Sequence, residues 1–239
     1  FLGAHAVPEE STGPDEYVDQ LVSRILPAVR GWWQENAAGA ALPFVDAFCE
    51  AGAFDLGQTR RILARAGELG FPLKIHAEEF SRLGGARLAV ELGATSADHL
   101  NRISEEDVEA MGRSQTVAVL LPATPFGLGE AIYPPARNLI EANALIALGS
   151  DLNPGTAWCE NLQFVIALAC RTLRLTPAQA LAAATINAAA AIGRQDSVGS
   201  LEAGKQADFV ILDAADFRHL AYRFGGNLAA AVYRRGRRI

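Results

Sequence analysis

Four residues able to bind a metal ion or move a proton stand just past the ends of three short apolar runs. The runs are PLKIHAEEF (Pro72–Phe80), ATSADHL (Ala94–Leu100) and ALIALGSDLNPGT (Ala144–Thr156), and the residues are His76, Glu79, His99 and Asp151. Imidazole together with carboxylate suits a hydrolytic Zn²⁺ or Fe²⁺ centre. Reactive side chains at the C-terminal ends of successive strands mark the site of a (β/α)₈ enzyme. Each residue taken singly has a plainer reading. A lone strand-end His more often sits in a core or on a surface, and the Asn-Pro-Gly after Asp151 makes it a natural turn aspartate. Four such residues on three strands favour a site.

Asn153, Gly155 and Thr156 form a turn that is expected to aim backbone N–H groups and two polar side chains into a barrel mouth, where a carboxylate or amide oxygen could bind. Glu79, three residues past His76, is placed to shuttle a proton; its neighbour Glu78 is expected to be solvated. His5 in FLGAHAVP ends a further run closed by Pro8, and spacing leaves ligand, substrate donor and packing residue all open. Cys49 reads as core or as support to the site, since cysteine is among the most buried types. His219 reads as structural, and the basic RRGRR tail as solvated.

Alternating strand-like and helix-like segments must hold these groups, the pattern of βα units around a parallel sheet. Strands are expected at Phe1–His5, Phe44–Phe48, Pro72–His76, Thr95–His99, Thr116–Leu121 and Leu145–Ser150. Helices are expected at Pro14–Arg30, Gln58–Leu69, Ala86–Leu92, Ser104–Met111, Pro135–Ala142, Asn161–Leu173 and Pro177–Ile192, the last capped by Thr176. Six strands fall two short of an eight-stranded barrel, so two βα units are expected upstream of Phe1. Beyond Gly193 the pattern changes: Ser197–Phe217 reads as strand, turn at Gly204 and strand, and Ala229–Arg234 as another strand. The expected organisation is a partial (β/α)₈ barrel of the α/β class over residues 1–195 and part of a small β-sandwich over 196–239.

Composition narrows the function. The chain has 239 residues, 50% of them hydrophobic, and a net charge of −6, which gives no electrostatic case for nucleic acid or an anionic membrane. No apolar run reaches the ~20 residues of a spanning helix. Three scattered cysteines imply no disulfide framework, and a reducing cytosol is the expected compartment.

The segments FLGAHAVP, DAFCEAGAF, KIHAEEFSRLGGARLAVELGATSADHL, VAVLLPATPF, GSDLNPGT and VGSLEAGKQADFVILD together resemble the imidazolonepropionase family of the amidohydrolase superfamily, from Phe1 nearly to Ile239. The resemblance implies a cytoplasmic enzyme with one Zn²⁺ or Fe²⁺/Fe³⁺ ion per subunit, and it leaves a homodimer open. His76 and Asp151 correspond to two of four protein ligands. The other two form a His-x-His pair that this sequence does not contain, and the family's early Arg and Tyr substrate contacts are likewise not found in it. Leu152 stands where relatives often carry an aromatic or His. The implied reaction opens the cyclic amide of 4-imidazolone-5-propanoate to N-formimidoyl-L-glutamate, in histidine degradation. Asp151, Glu79 and His99 would carry the chemistry, and His5, Glu79, Asn153, Gly155 and Thr156 would hold the substrate. The rivals are another amidohydrolase, such as a nucleobase-type deaminase, and a non-catalytic barrel fragment; the AHAVP and KIHAEEF blocks weigh against the first, the intact His and carboxylate set against the second.

Overall fold

A computed structural model describes residues 1–239, which divide into two compact units, Phe1–Thr116 and Val117–Ile239. In the first, β1 (Val45–Cys49), β2 (Leu73–Ala77) and β3 (Ser96–His99) form a parallel sheet in sequence order. Helices separate them: α1 (Pro14–Gln20) and α2 (Leu26–Asn36) precede β1, and α3 (Leu56–Glu68), α4 (Gly85–Glu91) and α5 (Glu105–Gly112) follow the successive strands.

The pairing register sorts the two sheet faces by chemistry. Val45, Ala47 and Cys49 share one face with Leu73, Ile75, Ala77 and Ala97, all buried. Strand side chains alternate, so the opposite face carries Asp46 and Phe48, Lys74 and His76, Ser96 and Asp98. Helices cover the apolar face. At Gly85, the start of α4, an added Cβ would lie 2.8 Å from the Ala77 Cβ and 3.2 Å from that of Cys49, so this helix end packs directly on the sheet. Asp55 caps α3 in a reciprocal capping box with Gln58, which satisfies two backbone donors at that helix start.

Two expectations change in this unit. Phe1–His5 does not form a strand; it runs beside β1 through one parallel bridge, Ala4 to Ala47, with the Phe1 and Ala4 carbonyls accepting from Asp46 and Phe48. The helix expected over Pro14–Arg30 contains a π-helical segment, Leu21–Ile25, between α1 and α2. Pro27 begins the next helix without an N–H to donate, and the turn ahead of it widens.

In the second unit β4 (Val117–Leu120) and β5 (Ile146–Leu148) pair in parallel. Between them lie α6 (Ala123–Leu128) and α7 (Ala136–Glu141); α8 (Leu162–Thr172), α9 (Pro177–Ala184) and α10 (Ile186–Ala191) follow. Val117, Val119, Leu121, Ala147 and Ala191 form the core beneath α10, and Asn187 donates to the Ile146 carbonyl at 2.8 Å. Helix α6 was not expected from the sequence. The helix expected over Pro177–Ile192 breaks at Thr185 (φ −123°, ψ −92°), whose hydroxyl bonds back to the Leu181 carbonyl, a local competitor of helical bonding.

The end of the chain is a three-stranded antiparallel sheet, β6 (Phe209–Leu212), β7 (Ala229–Arg234) and β8 (Arg237–Arg238), with a short α11 (His219–Tyr222) between β6 and β7. The strand expected at the start of Ser197–Phe217 is replaced by bends around Gly199, which takes a positive φ (95°). Gly204 does sit in a turn. The RRGRR segment forms the β7–β8 hairpin, where Arg235 (φ 50°) and Gly236 (φ 74°) occupy the two left-handed positions of a two-residue connection. No helix is long and apolar enough to cross a membrane.

Candidate active site

In the first unit the strand ends gather three imidazoles and two carboxylates. His76 on β2 has its Nδ1 3.0 Å from Oδ1 of Asp46 on β1, and Nε2 of His5 lies 3.6 Å from the same oxygen. The His5 and His76 rings meet edge-on at 4.7 Å, and the His76 and His99 rings at 5.1 Å. His99 Nε2 stands 3.4 Å from Oε2 of Glu79. His5, His76, His99 and Glu79 are therefore neighbours. Asp46 was not anticipated. A single Asp inside PFVDAFC carries no periodic signal, although a carboxylate within an apolar strand is itself a cue that something polar faces it.

Electrostatics divides these groups. Burial pushes the Asp46 carboxyl up, but the nearby imidazoles of His5 and His76, the latter within hydrogen-bond distance, outweigh it and hold the group well below the usual carboxylate range. Burial pushes His99 down to about 3, and the neighbouring His76 adds to the effect. His99 is thus a neutral imidazole at neutral pH, and its Nδ1 is buried with no hydrogen-bond partner. A second polar set lies on the same sheet face: the Lys74 ammonium donates to Ser96 Oγ, Ser96 donates to Asp98 at 2.6 Å, and Lys74 sits 3.5 Å from Asp98. Burial raises the Asp98 carboxyl against the pull of Lys74.

The two adjacent glutamates part company. Glu78, expected to be solvated, is fully buried. Its φ of 53° turns the carboxylate toward α4, where it accepts from the N–H groups of Gly84, Gly85 and Ala86 at 2.8–2.9 Å. Those are donors that a helix start leaves unsatisfied, so Glu78 is an anchor. Glu79 turns toward His99 instead. Glu50, after β1, steadies the same loop by accepting from the Phe80 N–H at 2.9 Å and from the Ser81 hydroxyl. Cys49 is buried, and burial above all raises its thiol to about 11, which removes it as a nucleophile, as expected. His219 opens α11 with its Nδ1 buried.

In the second unit Asp151 follows β5 in a left-handed conformation (φ 51°) and accepts from the Thr124 hydroxyl at 2.6 Å. Thr124 belongs to the unanticipated α6 and is buried. Asn153 organises the turn: its amide donates to the Asp151 carbonyl at 2.7 Å, and its Oδ1 accepts from Gly155 N–H and Thr156 N–H, each at 2.8 Å. The N–H groups expected to point into a mouth are thus spent within the loop. Gly127 on α6 meets this loop closely, with an added Cβ only 2.5 Å from the Thr156 carbonyl oxygen.

The donor set suits a borderline divalent ion. One atom each of His5, Asp46 and His76 lies within 4.8 Å of the others, and imidazole and carboxylate serve Zn²⁺ and iron alike.

The amidohydrolase family model matches residues 21–239. The chain is 51% identical over 238 residues to a protein of Herpetosiphon aurantiacus named imidazolonepropionase, which covers 99% of this chain and 56% of that relative. It is 49% identical over 239 residues to one of the same name from Chloroflexus aggregans, again 99% of this chain and 56% of the relative. The chain therefore spans about half the length of the curated relatives it matches. Among solved structures, a zinc-bound adenosine deaminase of Xanthomonas campestris superimposes with a TM-score of 0.72 at 20% identity, over 99% of this chain and 59% of that one. The chain belongs to the amidohydrolase family, and within it falls with the imidazolonepropionases.

Proposed function

We propose that this chain is the catalytic part of a metal-dependent hydrolase that opens the cyclic amide of 4-imidazolone-5-propanoate to N-formimidoyl-L-glutamate. The identity of about half of all residues, over nearly the whole chain, to relatives named for that activity carries the reading. His76 and Asp151 would hold one Zn²⁺ or iron ion, as the family resemblance implies; the buried, partnerless Nδ1 of His99 beside His76 is consistent with a polar ligand in that neighbourhood. When bound, the ion would lower the pKa of water and polarise the amide carbonyl. Residues 1–195 supply the barrel part and 196–239 a part of the small β-domain. Three free cysteines support a reducing, cytoplasmic location.

The chain's own groups do the proton work. Glu79 takes a proton from the attacking water and returns it to the leaving ring nitrogen, and neutral His99 beside it hydrogen-bonds the carboxylate or relays the proton. His5 orients the ring, and the turn of Asn153, Gly155 and Thr156 would hold the propionate by exchanging its internal N–H bonds to Asn153 for bonds to the ligand. The test is an assay of the full-length gene product against 4-imidazolone-5-propanoate and a panel of nucleobases. Turnover of the imidazolone is expected, and turnover of the bases alone would overturn the assignment.

A further inference from the structure

We infer that Asp46 is a positioning residue for His76: its carboxylate, 3.0 Å from Nδ1, fixes the imidazole in the tautomer and orientation that present Nε2 to a metal ion. The inference rests on His76 being a ligand, as proposed above. An ionised carboxylate has no proton to give, so His76 must donate from Nδ1, and Nε2 then carries the lone pair. Metal-bound imidazoles are commonly held in this way, and the outer partner raises ligand basicity as well as fixing the ring.

The surroundings favour this role over a chance contact. Asp46 is 6% exposed within an apolar strand, a costly place for a carboxylate unless it is paired. It shares the sheet face of His76, one row back, opposite Lys74 in the register, so its side chain reaches diagonally to the imidazole. The ring has little room to turn. Phe48, directly opposite His76 in the register, meets it edge-on at 6.1 Å, with His5 at 4.7 Å and His99 at 5.1 Å around it. Packing on the ring and the hydrogen bond to Asp46 restrain the imidazole, which is what a ligand on a rigid strand requires.

The experiment uses the full-length protein in wild-type form and as Asp46→Asn, Asp46→Ala and His76→Ala. Zn²⁺ affinity is read by chelator competition, and thermal midpoints are read on the metal-free proteins. His76→Ala should lose the ion; if it keeps a full equivalent, the ligand assignment itself fails. With His76→Ala metal-free, Asp46→Ala should bind Zn²⁺ about 10–100-fold more weakly, with Asp46→Asn between it and wild type because an amide oxygen still accepts the hydrogen bond. Wild-type affinity in both Asp46 variants, with only a lowered thermal midpoint, would make Asp46 a structural residue and overturn the inference. Two bound ions in wild type, the second lost on replacing Asp46, would overturn it too, making Asp46 a ligand. Should neither variant fold, the ring nitrogens of His76 in ¹⁵N-labelled wild type decide: a protonated Nδ1 is expected, and a protonated Nε2 refutes the inference.

Discussion

Thr124 donates its hydroxyl proton to Oδ2 of Asp151 at 2.6 Å, so a buried residue at the start of α6 holds a carboxylate that follows β5. The bond crosses 27 positions of sequence, and it gives Asp151, which carries a strained left-handed backbone, a fixed orientation. Replacing Thr124 with Val keeps the shape and deletes the donor. On the proposed reading of Asp151 as a metal ligand, kcat/KM of the full-length protein should fall about 10–100-fold, while Thr124→Ser retains most of the activity. Equal rates in both variants would show that Asp151 needs no such support.

Glu79→Gln should keep the bound ion and lower kcat by about 10²–10⁴-fold, because the amide can hydrogen-bond but cannot accept the proton. Steady-state kinetics alongside elemental analysis separates the two effects. Undiminished turnover would transfer the proton role to His99.

Glu78 is expected to matter for stability rather than chemistry. Its removal strands three N–H groups at the start of α4, and unsatisfied buried groups cost about 1–3 kcal/mol each before the structure relaxes. Glu78→Ala should therefore lower unfolding free energy by several kcal/mol, and Glu78→Gln by less, measured by denaturant titration. A Glu78→Ala protein as stable as wild type would contradict the anchoring role.

With its thiol raised to about 11, Cys49 holds almost no thiolate at neutral pH, and thiolate is the species that reacts. Iodoacetamide applied to the native protein should leave Cys49 unlabelled in peptide mass spectra and label it after denaturation. Fast native labelling of Cys49 would mean that this part of the sheet opens readily.

Gly127→Ala places a methyl group against the Thr156 carbonyl oxygen, where only 2.5 Å is available. The turn from Asp151 to Thr156 must shift, so KM should rise more than thermal stability falls. Unaltered KM would show that the turn plays no part in holding substrate.

Sequence legibility followed the reach of each interaction. His76, His99 and Asp151 were visible because an apolar run ending in a polar group is a local pattern, and the cap Thr176 was visible in the same way. Asp46 and Thr124 were not, since their meaning comes from partners about thirty positions away. Glu78 and Glu79 look alike in KIHAEEF; what separates them is one left-handed backbone angle. The start of Ser197–Phe217 reads as a strand, and Gly199 at positive φ interrupts it.

The strands also carry a consequence for how the chain acquires its shape. β1 pairs with β2 and β2 with β3, and later β4 with β5, each across roughly thirty residues or fewer. Loop-closure entropy grows only slowly with length, and sequence-near contacts form fast. Within each unit a strand can thus dock on the one before it as soon as the intervening helix has left the ribosome, so that assembly there follows the order of the chain. The imidazole of His76 meets the Asp46 carboxylate at the first of these steps, well before the chain reaches Asp151.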